Sequence, residues 1–223
     1  TIQLAGSRIT GGSIKLHSNE INNEGALTAV ASLDVAAENL TNRGGSIAAA
    51  DITLSANETL ANLSGTISGE TVAISAENIR NETLVRSGDY VGGSTQTNQQ
   101  RASIAASGTL SLNAEQDIVS IGGNIASDGN ATLQAGGDVR LETLKTETAF
   151  NMDIGGSTNR LNETKHQSSN LAAGGNLVID AGRDLTISGS NISAGASAEL
   201  SAGRDVTIES VQNRRREEVK HQS

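Results

Sequence analysis

Apolar residues recur along this chain in short apolar–variable–apolar triplets at a nearly constant interval. Ile14-Lys-Leu16, Leu33-Asp-Val35, Ile52-Thr-Leu54 and Val72-Ala-Ile74 begin 19, 19 and 20 residues apart. Alternation of this kind marks a strand with one buried face. Two further apolar columns share the period: Ile9, Leu27, Ile47 and Ile67, and then Ile21, Leu40, Leu60 and Ile79. Two residues after each member of the last column stands Asn23, Asn42, Asn62 or Asn81. Three short strands in about 20 residues suit one rung of a parallel β-helix, in which each rung buries its aliphatic side chains on the rungs above and below.

The period lengthens slightly in the second half. Leu110-Ser-Leu112 and Ala131-Thr-Leu133 lie 21 residues apart, as do Leu177-Val-Ile179 and Ala198-Glu-Leu200. The phrase Ala181-Gly-Arg-Asp184 returns as Ala202-Gly-Arg-Asp205, with weaker forms ending in Asp117 and Asp138. About eight rungs result, for a rod on the order of 40 Å at the usual interstrand spacing. Ile187 falls on an inward position of this pattern. A leucine-rich repeat has a similar period, but its Leu-rich frame is missing here.

The rungs are interrupted. Residues 1–81 read as rungs of a first type, 82–103 as an insertion, 104–141 as two rungs, 142–170 as a second insertion and 171–208 as two more rungs. A third insertion begins within 209–223. Two rungs plus one insertion therefore make a longer repeat of about 67 residues. Glu82-Thr-Leu84 matches Glu142-Thr-Leu144, Gly92-Gly-Ser-Thr95 matches Gly155-Gly-Ser-Thr158, and Lys165-His-Gln-Ser168 returns as Lys220-His-Gln-Ser223. Phe150, Met152 and Ile154 alternate with polar residues before a Gly pair, the pattern of a hairpin strand and its turn. The insertions are expected to be β-hairpin arms or an added side sheet.

Composition sharpens this picture. The 223 residues include no Cys, Pro or Trp, and one each of Tyr, Phe and Met. A thin, repetitive core of Ala, Val, Ile and Leu fits better than a round one filled by aromatics. A formal charge of −9 argues against a nucleic-acid partner, which needs a basic face. No apolar run reaches the ~20 residues of a transmembrane helix, and no signal peptide is visible, so the chain reads as a stretch of something longer. Without Cys there is neither a disulfide framework nor a thiolate metal site.

Candidate chemistry is sparse. Asp117, Asp138, Asp184 and Asp205, with Arg183 and Arg204, occupy equivalent places in the four later rungs. A catalytic site is singular, whereas a repeated one is architecture. The expected role is turn capping, with Asp accepting backbone N–H groups and Arg offsetting the charge. Calcium binding and carboxylate catalysis are the competing readings. Asn23, Asn42, Asn62 and Asn81 are read as a structural ladder, through left-handed backbone at a corner or through amide bonds between rungs. Tyr90, Val91, Phe150, Met152 and Ile154 lie in the insertions and are the candidates for partner contact, against the alternative that they seal the hairpins. His17, His166 and His221 are expected to be solvent-exposed. Arg214-Arg-Arg216 precedes Glu217-Glu218 and reads as a solvated arm. No catalytic, cofactor or metal residue is assigned.

Leu40-Thr-Asn-Arg-Gly-Gly-Ser-Ile47 and its partners resemble the haemagglutinin repeats of filamentous haemagglutinin. Ala-Gly-Arg-Asp-Leu/Val-Thr-Ile at 181–187 and 202–208, with the Lys-His-Gln-Ser arms, looks like that family's second repeat type. Such repeats occur in two-partner-secretion exoproteins, including adhesins and the CdiA-type toxins of contact-dependent growth inhibition. The resemblance implies an all-β, right-handed parallel β-helix secreted to the Gram-negative cell surface. It implies an outer-membrane transporter barrel as partner during secretion. The implied function is a structural segment presenting a distal toxin. A host-directed adhesin binding a target-cell receptor or glycan is the first alternative, and a polysaccharide-degrading β-helix enzyme the second.

Overall fold

The computed structural model describes residues 1–154 and 156–220. These form two sheets. Eighteen strands coil into one parallel β-solenoid, and five more make a separate antiparallel sheet. No helix occurs among the described residues, hence none long and apolar enough to cross a membrane.

Each period predicted from the sequence is one turn of the solenoid. Parallel pairing stacks Ile9, Leu27, Ile47 and Ile67 and continues through Ile104, Ile125, Leu171 and Ile192. A second face stacks Ile14 through Leu110 to Ala198, eight levels in all. The third face has a ninth level, because Ile2 pairs with Ile21. Its column runs on through Leu40, Leu60, Ile79, Ile118, Val139 and Leu185 to Val206. Branched aliphatics suit this arrangement, since each identical pleat repeats the same narrow space. Apart from Ile9 and Leu16 near the start, which are partly buried, the inward columns are dry from Leu4 to Ile187, which is 4% exposed; Leu54, Leu112 and Leu133 are fully enclosed. In the last turn Val206 and Ile208 stand in inward columns but are 50% and 72% exposed, with no turn stacked on them in this structure.

Separate short strands predominate in the later turns. In the first turns the strands run through the corners without a break, as in Arg8–Asn23 and Ala26–Arg43. The later corners carry Gly in phrases such as Ala-Gly-Arg-Asp, and the faces become separate strands of 4–5 residues. Rod strands continue through Glu82 and Glu142 and resume at Ser103 and Asn170. The arms therefore leave and rejoin one residue inside the ranges read from the sequence.

Candidate functional site

The side chains with polar chemistry fall into three sets: a buried amide ladder, an exposed ion ladder and the arm sheet. In the first, Asn23 Nδ2 donates to Asn42 Oδ1 at 2.7 Å, Asn42 Nδ2 to Asn62 Oδ1 at 2.8 Å, and Asn62 Nδ2 to Asn81 Oδ1 at 2.8 Å. All four residues are buried. Each Nδ2 also donates to a backbone carbonyl of a neighbouring turn, those of Ser46, Thr66, Ser103 and Asn124. Burial of four amides is tolerable because each is paired at both ends. The left-handed backbone expected at Asn is found instead two residues after Asn42 and Asn62, at Gly44 and Ser64, and at Gly122 and Gly189 in later turns (φ 51–63°). Asn23, Asn42, Asn62 and Asn81 themselves stay in the strands.

The next residue must also be small. A Cβ on Gly65 would lie 2.3 Å from Asn42 Nδ2 and 2.6 Å from Asn62 Oδ1. The ladder ends where the repeat type changes. Ser120 and Leu141 take the places that follow Asn81, and Ser120 Oγ is buried without a partner.

The ion ladder runs along an outer corner of the later turns. Asp117 Oδ1 accepts the Asp138 backbone N–H at 2.8 Å, Asp138 Oδ1 that of Asp184 at 3.3 Å, and Asp184 Oδ1 that of Asp205 at 3.4 Å. Arg183 spans two turns, with Nη2 3.0 Å from Asp117 Oδ1 and Nε 3.0 Å from Asp138 Oδ1. Arg204 grips Asp184 through both carboxylate oxygens, at 3.1 and 2.6 Å. Gly137 leaves Arg183 its path, since a Cβ there would sit 2.9 Å from Nη2. Every carboxylate of this ladder below Asp205 thus has a backbone donor and a guanidinium. Among the described residues no cluster of His, Asp and Glu is arranged to hold a metal ion. Arg183→Ala is expected to lower stability by less than about 1 kcal/mol, because exposed pairs contribute little. The loss should shrink as salt rises; a loss unaffected by salt would assign the effect to the packing of the Arg stem.

The arms join into one sheet. Val85–Tyr90 and Gly93–Asn98 form the first hairpin, and Leu144–Ile154 and Ser157–Gln167 the second. Gly93–Asn98 pairs with Leu144–Ile154, and Ser157–Gln167 pairs with Arg214–Lys220 of the third arm. Tyr90 and Phe150 meet across the first junction, their rings stacked at 6.1 Å, and Tyr90 Oη donates to the Ala149 carbonyl at 3.4 Å. Tyr90 is 43% exposed, Val91 at the turn is 88% exposed, and Phe150 and Met152 are half-buried. Ile154 belongs to the second hairpin strand.

Among the His residues, His17 is exposed, whereas His166 is half-buried and its Nδ1 lacks a partner; the neighbouring arm strands enclose it, contrary to the expectation of exposure. His221 lies outside the described residues. Arg214–Arg216 form part of the outer arm strand, where Arg215 pairs with Glu163 and Glu217. A hydrogen bond from Lys220 holds the Glu218 carboxyl below its ordinary range, aided by the ammonium charge. The pair's contribution is present above the unfolded value and fades as pH falls through the lowered one.

Buried polar residues that sequence patterning did not single out fasten the arms to the rod. Thr83 Oγ1 donates to the Gly122 carbonyl and accepts from the Ala102 N–H. Ser169 Oγ donates to the Ser120 and Glu142 carbonyls. Gln167 reaches the Gly122 carbonyl at 2.6 Å and accepts from Asn98 of the first arm. Thr83 lies in the repeated Glu-Thr-Leu phrase and Gln167 in the repeated Lys-His-Gln-Ser phrase, both of which read as similarity between arms and not as anchors. Thr83 lies outside the first hairpin, and Gln99 N donates to Leu84 O at 2.8 Å below it. Excising residues 86–98 should therefore leave the β-sheet circular dichroism of the rod intact. Collapse of that signal would make the arm part of the core.

Residues 1–113 match a family described as haemagglutinin repeat, and residues 86–153 and 145–223 match a second family of the same description. A tRNA nuclease CdiA of Yersinia mollaretii is 33% identical over an alignment 206 positions long that covers 83% of this chain. The chain spans 7% of that relative's length. No solved structure matches.

Proposed function

We propose, from the premise that this chain belongs to the haemagglutinin-repeat family, that it is a structural spacer in a large secreted filament of a Gram-negative cell surface. In this reading it holds a distal toxin away from the producing cell during contact-dependent inhibition. The observation that carries the reading is repetition. The inward columns, the amide ladder and the ion ladder each recur turn after turn, and among the described residues no singular cluster of reactive groups interrupts them. A rod of this kind transmits position, not chemistry. An outer-membrane transporter is the partner during secretion. A chain without Cys is free of cross-links while unfolded, and stacked repeats fold progressively from one end.

Removing one unit, residues 142–208, from the parent protein tests this. Leu141 would then lead into Glu209, the equivalent of Glu142 in the repeat. The shortened protein should still be secreted and should still deliver its distal activity. A second reading, an adhesin, is favoured by the exposed Tyr90 and Val91. If the shortened filament is secreted and folded but no longer attaches to target cells, this segment is itself the receptor-binding surface.

A further inference from the structure

The arms and the rod advance by the same distance. Two turns of solenoid separate the first arm from the second, Ile104–Ile121 and Ile125–Glu142. Two more separate the second from the third, Leu171–Ser188 and Ile192–Glu209. Two turns move the chain along the rod by two interstrand spacings, roughly 9.6 Å. A hairpin laid edge-on is also two strands wide, again roughly 9.6 Å. One hairpin per two turns is therefore the ratio at which neighbouring arms meet edge to edge with neither gap nor overlap.

We propose that this match is what the 67-residue unit encodes: each arm's second strand is the docking edge for the first strand of the next arm of the same chain. The arm-bearing part of the filament then carries a continuous antiparallel sheet beside the rod. The two junctions present follow one rule. Gly93–Asn98 receives Leu144–Ile154, and Ser157–Gln167 receives Arg214–Lys220, in both cases second strand to first strand. Each junction has its own side-chain fit. Thr95 and Thr148 hydroxyls meet at 3.1 Å, Tyr90 stacks on Phe150, and Arg215 faces Glu163. Pairing of this sort also covers strand edges that would otherwise recruit other chains. The proposal rests on the spacer reading and adds a second beam to the rod.

Thr95→Cys with Thr148→Cys reports the junction, because the natural chain has no Cys. The pair should oxidise to a disulfide in the otherwise unaltered protein. Duplicating one turn, Ile104–Asn124, between the arms shifts them by one strand spacing, and the disulfide should then be lost. A Ser13→Cys, Ser32→Cys pair on adjacent rod turns, whose hydroxyls lie 2.9 Å apart, should form in both backgrounds and shows that the rod is folded. A Thr95–Thr148 cross-link that survives the extra turn, with the rod control formed, would overturn the spacing rule while leaving the spacer function untouched. Failure of the rod control would overturn the solenoid register on which both readings stand.

Discussion

Leu112→Asp is expected to unfold the middle of the rod. Leu112 is fully enclosed, with Ile74 stacked on one side and Leu133 on the other. Losing the buried Leu and placing a carboxyl among aliphatics costs roughly 5 kcal/mol or more. That rivals the whole stability of many domains. Because each turn touches only its neighbours, the damage should be local. Limited proteolysis should cut first within residues 104–141, while the turns built by residues 8–63 resist longer. Uniform loss of protection along the chain would mean the rod folds as one unit. Unchanged melting would mean that Leu112 faces outward.

The second large effect is expected at the amide ladder. Asn42 accepts from Asn23 and donates to Asn62. Asn42→Leu keeps the number of side-chain heavy atoms but leaves Asn62 Oδ1 without its donor and Asn23 Nδ2 with only the Ser46 carbonyl. At about 1–3 kcal/mol for each buried group left unmet, the loss should be roughly 3–5 kcal/mol by chemical denaturation. Asn81→Leu should cost less. Asn81 ends the ladder, and Asn62 Nδ2 keeps its bonds to the Gly65 and Ser103 carbonyls. Equal losses at the two positions would show that the amides act singly and not as a chain.

The rod was legible because one physical rule repeats. Aliphatics at a constant interval must stack, and the columns at Ile9, Ile14 and Ile21 stack in register as their spacing requires. The Asp and Arg phrase recurs in the same way, and in the fold Asp117, Asp138 and Asp184 each accept the backbone N–H of the next Asp in the column. The left-handed corner was misplaced onto Asn because Asn tolerates that backbone. In the fold the Asn side chain is needed inside, and Gly44 or Ser64 makes the corner. The arms were legible as hairpins or an added side sheet, but without the order in which their strands pair. The pairing of one arm with the next depends on how far the rod advances between them, and no local pattern near Tyr90 or Phe150 carries that distance. The anchors at Thr83 and Ser169 stayed hidden because a single buried hydroxyl looks like any other Ser or Thr in a polar turn.

Growth by addition is the central claim, and solution X-ray scattering measures it directly. A version with residues 142–208 duplicated after Ile208 adds two turns and one arm. The rod should lengthen by about 10 Å with an unchanged cross-section, the distance two stacked turns require. A cross-section that grows with the added mass, as in a rounder particle, would contradict the account.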